Sequence, residues 1–363
     1  MSKYKIAWLP GDGVGQDVME AAKIVLDRID LDAEYIHGDI GWEFWCHEGE
    51  ALPQRTLDLM KETDCAMFGA ITSKGRDVAD LELDPELKGK GYVYRSPIVR
   101  MRQVLDLYIC LRPTKAYAGN PLNYKDGIDL VIFRENTEGM YIGVEYASVP
   151  EEFYAVNGMD KIPRHAAISL RAITPEGSER IVRAAFEHAV EHGRKRVTAV
   201  HKGNVLRQTD GVFMEAARKV AAEYPGIQFD NANIDAMGMW LLKNPFNDEV
   251  IVTTNLFGDI SSDLCAQMVG GLGFGCSGNI GANYAVFEPT HGSAPKYAGQ
   301  DKVNPIATIL AAKMMLDWLG EKDKAAQVEG AVAAVIAEGK VRTYDMGGSA
   351  GTLDVARAIA GKL

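Results

Sequence analysis

Short apolar runs and amphipathic stretches alternate along the whole chain, the pattern of an α/β protein. Lys5-Ile6-Ala7-Trp8-Leu9 reads as a first strand, closed by Pro10-Gly11. Val18, Ala21, Ala22, Val25, Leu26 and Ile29 then recur at helical spacing over residues 14–29. Leu105, Leu107, Ile109 and Leu111 alternate with Asp106, Tyr108, Cys110 and Arg112, which predicts a strand stopped by Pro113. Asp129-Leu130-Val131-Ile132-Phe133 and Val250-Ile251-Val252-Thr253-Thr254 are nearly continuous, as expected of strands covered on both faces. Thr174-Pro175-Glu176 predicts a helix start, with a hydroxyl N-cap and proline at the first helical position; Gly193 marks its end. Residues 141–170 differ: two short apolar segments flank a polar stretch over 149–164, an arm suited to association.

Composition narrows the class. A chain of 363 residues exceeds the ~250–300 at which single cores stop growing, so two domains are expected. Hydrophobic residues at 47% and charged residues at 25% are ordinary for a globular protein. The formal charge of −11 argues against a nucleic-acid partner or a basic membrane-surface role, while leaving room for a small acidic ligand on a local arginine cluster. Cys46, Cys65, Cys110, Cys265 and Cys276 form no C-x-x-C pair and suit a reducing compartment. With no signal pattern and no membrane-length apolar run, a cytoplasmic protein is expected.

Three motifs tempt without convincing. Gly11-Asp12-Gly13-Val14-Gly15 has the spacing G-x-G-x-G rather than the G-x-G-x-x-G of a dinucleotide fingerprint, and reads as a tight structural turn. His188-Ala189-Val190-Glu191-His192 spells a zincin-like H-x-x-E-H, yet sits in a last helical turn beside Arg194, Lys195 and Arg196 and reads as a solvated face. Gly270-Gly271-Leu272-Gly273-Phe274-Gly275 is uninformative alone.

The chemistry gathers at strand ends, where ligands bind in open α/β sheets. Arg112 ends one predicted strand, Arg134 follows another, Lys202 follows Val197-Thr198-Ala199-Val200, and Asp259 lies past residues 250–254. Asp263 comes four residues after Asp259, so on a helix the two carboxylates share a face. Hard oxygen ligands in such a pair suit Mg²⁺ or Mn²⁺; helix capping is the plain alternative. Arg102, Arg112 and Arg134 have the forked geometry that clamps carboxylates.

These residues belong to longer strings. They are Arg102-Gln103-x-x-Asp106-Leu107-Tyr108-Ile109-Cys110-Leu111-Arg112-Pro113, Arg134-Glu135-Asn136-Thr137-Glu138-Gly139-x-Tyr141 and His201-Lys202-Gly203-Asn204. Two more follow, Asn255-Leu256-x-Gly258-Asp259-x-x-Ser262-Asp263 and His291-Gly292-Ser293-Ala294-Pro295-Lys296-Tyr297-Ala298-Gly299. Together, and in this order, they resemble the β-decarboxylating dehydrogenases that act on isocitrate, homoisocitrate and isopropylmalate. The resemblance implies a two-domain α/β fold of the isocitrate/isopropylmalate dehydrogenase kind, distinct from a Rossmann domain, with a small β arm at a dimer interface. It implies a discontinuous cofactor-binding domain over residues 1–107 and 270–363, and a substrate and dimerisation domain over 108–269 that includes the arm.

The implied reaction is metal-dependent oxidation of a 3-substituted malate by NAD(P)⁺ with loss of CO₂. Ser96, Arg102, Arg112, Arg134, Tyr141, Lys202 and Asn204 would touch substrate. Asp259 and Asp263 would hold Mg²⁺ or Mn²⁺, with Asp235 from the other subunit of a homodimer. Lys202, also from the partner and working with Asp235, would take the hydroxyl proton; Tyr141 would return a proton after decarboxylation, its acidity raised by a cationic neighbour. His291, Gly292, Ser293, Ala294, Lys296, Tyr297, Asn304, Tyr344 and Asp345 would bind the cofactor. The expected partners are a small di- or tricarboxylate and a second copy of the chain, with neither nucleic acid nor membrane.

Substrate and cofactor signals are mixed. Isocitrate enzymes carry Ser-x-Asn before the first arginine; Ser96 is kept but Ile98 replaces the asparagine, as in homoisocitrate and some isopropylmalate enzymes. Other stretches look most like bacterial isocitrate enzymes, so isocitrate is favoured, with homoisocitrate or isopropylmalate as alternatives. Residues 71–95, long and charged, read as a rebuilt substrate loop. Lys296-Tyr297 stands where NAD enzymes carry Asp-Ile, and Tyr344 adds a phosphate contact, which favours NADP; Gly348 replaces the arginine of NADP-specific relatives. Two rivals of other classes are a non-catalytic regulatory subunit of a hetero-oligomer and a tricarboxylate-binding protein. The presence of Tyr141, Lys202, Asp235, Asp259 and Asp263 speaks against both.

Overall fold

A computed structural model describes residues 2–363. The apolar runs become twelve strands: β1 (Tyr4–Gly11), β2 (Ala33–His37), β3 (Cys65–Ala70), β4 (Ile109–Lys115), β5 (Asp129–Glu135), β6 (Glu145–Tyr146), β7 (Ile168–Ser169), β8 (Arg196–His201), β9 (Gln228–Asn233), β10 (Val250–Thr253), β11 (Cys276–Ile280) and β12 (Ala285–Pro289). Ten of them form one sheet in the order β2-β1-β3-β12-β11-β4-β5-β10-β8-β9. Both ends of the sheet are parallel, whereas β12, β11, β4 and β5 pair antiparallel through its middle. That arrangement departs from an all-parallel dinucleotide-binding sheet, as the missing glycine fingerprint implies.

Helices cover both faces, so the interior strands β3 and β10 are buried along their whole length. At one end Ile6, Met67 and Phe287 pack with Met19 and Val25 of the Val14–Arg28 helix and with Ile309 and Leu316 of the Ile306–Trp318 helix. At the other, Val131, Val197 and Val252 pack with Ile181 and Phe186 of the Pro175–Glu191 helix. The Thr174 hydroxyl caps that helix by accepting from the Gly177 N–H at 3.0 Å, as its sequence predicts. No helix among the described residues is long and apolar enough to cross a membrane, and all five cysteines are free.

Several expectations need correction. Residues 97–104 are helical, and the predicted strand over 105–111 begins only at Ile109 and continues to Lys115. The reason lies in the direction of one missing donor. The Ala116 N–H reaches the Ile128 carbonyl beside β5 at 2.8 Å, so by alternation the position of Pro113 points away from β5. Proline therefore ends the pairing with β11, which covers Ile109–Leu111 only, and leaves the strand intact. A cavity of about 520 Å³ opens beyond that pairing, lined by Pro113 and Lys115 on one side and Phe274 and Cys276 on the other. Arg112 consequently lies inside β4, and Arg134 inside β5, rather than past the strand ends.

The Gly11–Gly15 segment is a structural turn. A Cβ at Gly11 would sit 2.0 Å from the Ala70 carbonyl oxygen, and one at Gly13 would sit 2.3 Å from that of Ser293. His188 is not a solvated residue: its ring meets Phe133 edge-on at 5.1 Å and stacks on His192 at 3.9 Å. Burial, with His192 and Arg194 adding to it, pushes its pKa down to about 4. Within residues 71–95, Ala79, Leu83 and Tyr94 pack on Trp42 and Trp45. The arm is a two-stranded antiparallel sheet of β6 and β7 with short helical turns between them.

Candidate active site

Arg102, Arg112, Arg134, Tyr141, Asp259 and Asp263 converge on one cluster. Arg102 ends the Pro97–Val104 helix and is buried; its Nε donates to Asn279 at 2.8 Å and its Nη2 to Glu288 at 3.3 Å. Asn279 of β11 donates in turn to Glu288 of β12 at 2.6 Å, so the guanidinium rests on a satisfied polar floor. Arg134, 1% exposed, spends Nε and Nη2 on Asn255 Oδ1 at 2.9 and 2.7 Å and pairs with Asp259 through Nη1. Arg112 donates to Ser262 at 2.5 Å and lies 3.3 Å from Asp263 and 3.5 Å from Asp259, while its buried Nε has no partner.

Asp259 and Asp263 sit one turn apart on the Asn255–Met268 helix and face the same way, as their spacing predicts. Burial pushes the Asp259 carboxyl up, but Arg134, the Tyr141 hydroxyl and Arg112 outweigh it and hold the group low. Asp263, 59% exposed, is raised by its partial burial. The Tyr141 hydroxyl donates to Asp259 at 2.5 Å, and Arg134 lies 5.0 Å from its ring. Burial and the Asp259 carboxylate push the Tyr141 phenol up, against Arg134 and Arg102; the cationic neighbours alone do not make it acidic.

Lys202 and Asp235 form a separate pair at 2.5 Å, on the loop after β8 and on the Ile234–Lys243 helix. Asp235 is 67% exposed, and Lys202 pulls its pKa down. Among the described residues no three acidic, histidine or cysteine side chains of one chain gather as metal ligands, so Asp235 does not join Asp259 and Asp263 within the chain. Asn204 is exposed on the same loop. Met239, Trp240, Leu242, Leu256 and Ile260 are exposed on the two helices carrying these aspartates, Ile260 to 62%.

The third group surrounds residues 291–297. Val14 donates to the Ser293 carbonyl at 2.8 Å and the Ser293 and Thr72 hydroxyls lie 2.6 Å apart, so the Gly11–Gly15 turn buttresses this loop. Ala294 is held at φ +36°, a strained left-handed backbone, between Ser293 and the Pro295–Tyr297 turn. Burial pushes the His291 imidazole down, and its Nε2 is buried without a partner. Gly292 flanks it, Asn304 donates to Asp345 at 3.1 Å, and the Tyr297 and Tyr344 rings lie 5.8 Å apart. Ser96 caps the Pro97–Val104 helix without spending its hydroxyl, while Ile98 packs into the core with Met101.

Four supporting residues escape a reading based on charge and strand ends. Asn255 orients Arg134. Gly258 lets it pass, since a Cβ there would lie 2.6 Å from Cβ and Cγ of Arg134. Asp210, fully buried, accepts from the Lys202 N–H at 2.5 Å and pairs with Arg171 at 2.7 Å. Asn255 and Gly258 stand inside a quoted string and so had a signal; Asp210 and Arg171 had none.

The description isocitrate/isopropylmalate dehydrogenase matches residues 5–359. The chain is 43% identical over 360 residues to the 3-isopropylmalate dehydrogenase of Methanothermobacter thermautotrophicus, covering 99% of this chain and 98% of that one. It is 41% identical over 352 residues to an isocitrate/homoisocitrate dehydrogenase of Thermus thermophilus, covering 96% and 95%. A crystal structure of isocitrate dehydrogenase from Methylococcus capsulatus superposes with a TM-score of 0.87 at 38% identity, over 99% of both chains. End-to-end coverage, the mixed ten-stranded sheet and the arginine–aspartate cluster agree, and the chain belongs to the isocitrate/isopropylmalate dehydrogenase family, decarboxylating dehydrogenases of 2-hydroxy acids.

Proposed function

We propose that the protein oxidises and decarboxylates a 3-substituted malate, isocitrate before homoisocitrate or isopropylmalate, as a homodimer with shared sites. The observation that carries this is the convergence of three buried arginines on two aspartates and a tyrosine. Arg102, Arg112 and Arg134 neutralise and orient the substrate carboxylates, the unpaired Nε of Arg112 being one donor available to them. Hard carboxylate oxygens on one helix face fit Mg²⁺ or Mn²⁺ held by Asp259, Asp263 and the partner's Asp235. When bound, the ion would supply Lewis acidity to the substrate and the nicotinamide cofactor a hydride-accepting ring. Lys202 takes the hydroxyl proton as it passes one of its own on through Asp235, and the Tyr141 hydroxyl delivers a proton to the carbon that loses CO₂.

Shared sites follow from exposure. Asp235 is exposed and Lys202 partly so, and Asp235 shares its helix with exposed Met239 and Trp240 while Asp259 and Asp263 share theirs with exposed Leu256 and Ile260, faces that a second copy would bury. The arm of β6 and β7 suits the same association. The core clusters at opposite ends of the sheet support the division into 1–107 plus 270–363 and 108–269, and the free thiols suit the cytoplasm.

For the substrate, the unspent Ser96 hydroxyl favours a polar substituent, and Ile98 packs with the core instead of dictating an apolar one. Val99, one helical turn from both Ser96 and Arg102, favours the second reading, an isopropyl substituent. Lys296, Tyr297 and Tyr344 favour NADP. The test is an assay with Mg²⁺ that crosses NAD and NADP against isocitrate, homoisocitrate, 3-isopropylmalate and D-malate. The expected outcome is highest kcat/KM with isocitrate and NADP; a preference for isopropylmalate would assign the pocket to Val99.

A further inference from the structure

The preference for NADP leaves a charge unaccounted for at position 348. The structure explains why no arginine stands there: a Cβ on Gly348 would lie 2.0 Å from the Arg342 carbonyl oxygen, and the Gly348 N–H is bonded to the Thr343 carbonyl at 2.9 Å. No side chain fits unless that turn is rebuilt.

A cation nevertheless reaches the cluster from another element. Lys302 Nζ lies 5.1 Å from the centre of the Tyr297 ring and 4.9 Å from that of Tyr344, bridging the two phenols. Lys296 Nζ lies 4.7 Å from Tyr297. Among the described residues neither lysine has a carboxylate within ion-pair distance. The backbone beneath Lys302 is fixed: Asp301, at φ +48°, accepts from the Leu353 N–H at 2.8 Å, and the Thr352 hydroxyl donates to the Val303 carbonyl at 2.6 Å. The nearby carboxylates are engaged by protein donors, Asp345 by Asn304 and Thr343 and Asp301 by Leu353.

We propose that Lys302 supplies, with Lys296, the positive charge for the 2′-phosphate of the cofactor's adenosine ribose, in place of the arginine excluded at 348. This rests on the NADP reading of the same loop. A phosphate monoester carries about −1.5 to −2 at neutral pH, which two lysines match. Two phenol hydroxyls beside them add donors that a bare ribose does not need. The Tyr297 phenol is already held low, by Lys296 first and by Lys302 as well, so the cluster carries a positive field before any ligand arrives.

Calorimetric titration of the purified full chain with 2′,5′-ADP and with 5′-AMP separates the possibilities without relying on turnover. The unaltered protein is expected to bind 2′,5′-ADP at least tenfold tighter, roughly the worth of a charge-assisted contact. Lys302→Met should weaken 2′,5′-ADP about tenfold while 5′-AMP moves less than about twofold, and Lys302→Arg should restore most of the loss. Unchanged 2′,5′-ADP affinity in Lys302→Met, with discrimination intact in the unaltered protein, overturns the role of Lys302 and spares the NADP reading. Equal weakening of both ligands also overturns it, since the lysine would then shape the loop rather than meet the phosphate. No discrimination by the unaltered protein sinks the NADP reading and the proposal with it.

Discussion

The arginine–aspartate cluster and the Lys202–Asp235 pair carry opposite signatures. In the first, buried guanidinium groups are oriented by buried amide and carboxylate oxygens: Arg134 by Asn255, Arg102 by Asn279 and Glu288. In the second, an exposed aspartate meets a lysine whose side chain is 26% exposed, and the two charges neutralise each other, a partly exposed pair that stabilises by only ~0–1 kcal/mol. Only the backbone under Lys202 is firmly held, by buried Asp210. The difference teaches that one region is oriented by its own chain, whereas the other has its base fixed and its charged end presented outward, the division that the proposed shared site would require.

The largest expected effect tests the sharing. Lys202→Met should lower kcat about 10³-fold through loss of the proton relay, with stability changed by no more than ~1 kcal/mol, because methionine keeps most of the packed stem and the ion pair removed is partly exposed. Asp259→Asn should also be nearly inactive. Co-refolded in equal amounts, the two inactive chains should regain about a quarter of normal activity, because random pairing makes half the dimers mixed and each mixed dimer has one intact site. Specific activity of the mixture measures this, and no recovery would place Lys202 and Asp259 in the same site of one chain.

A smaller effect probes the cluster's rigidity. Gly258→Ala gains up to ~1 kcal/mol of helix propensity, but its Cβ strikes the stem of Arg134, and overpacking costs ~1–3 kcal/mol. The net outcome is a loss of about 1–2 kcal/mol in urea unfolding together with a raised KM; an unaltered KM would show that Arg134 need not sit where it does. The smallest effect is a control belonging to neither region. His188 is neutral in the fold, with its pKa near 4, while the unfolded chain takes up its proton below about 6.5. Its contribution is therefore complete above pH 6.5 and is lost as pH falls toward 4, by at most ~2–3 kcal/mol. His188→Leu should flatten that part of the stability–pH curve without changing kcat at pH 7.5, and an unchanged slope between pH 4.5 and 6.5 would rule out the titration.

Much of this was legible in the chain because periodicity and motif spacing report local geometry. The helix capped by Thr174, the shared face of Asp259 and Asp263, and the structural nature of the Gly11–Gly15 turn all follow from spacing within a few residues. The strand at Leu105 misled because alternation over four apolar residues also fits a helix end followed by a turn, and Leu105 closes the Pro97–Val104 helix. Arg112 and Arg134 were assigned to strand ends because a charged residue usually marks one; here buried partners allow the strands to run on through them. Tyr141 shows a subtler limit. Its cationic neighbour was foreseeable, but the carboxylate touching its hydroxyl joins two elements more than a hundred residues apart. Lys302 was invisible for the same reason, since its significance lies in standing over both Tyr297 and Tyr344.

Pro113 carries a consequence for how the molecule is assembled. Because its absent N–H faces β11, the sheet is joined across its middle there by Ile109–Leu111 alone, whereas β4 pairs with β5 from Ile109 to Lys115. An apolar cluster lies to each side of that joint. Three residue pairs hold β4 to β11 and two hold β3 to β12, whereas seven hold β4 to β5, so the sheet carries its shortest ladders on either side of the β11–β12 hairpin.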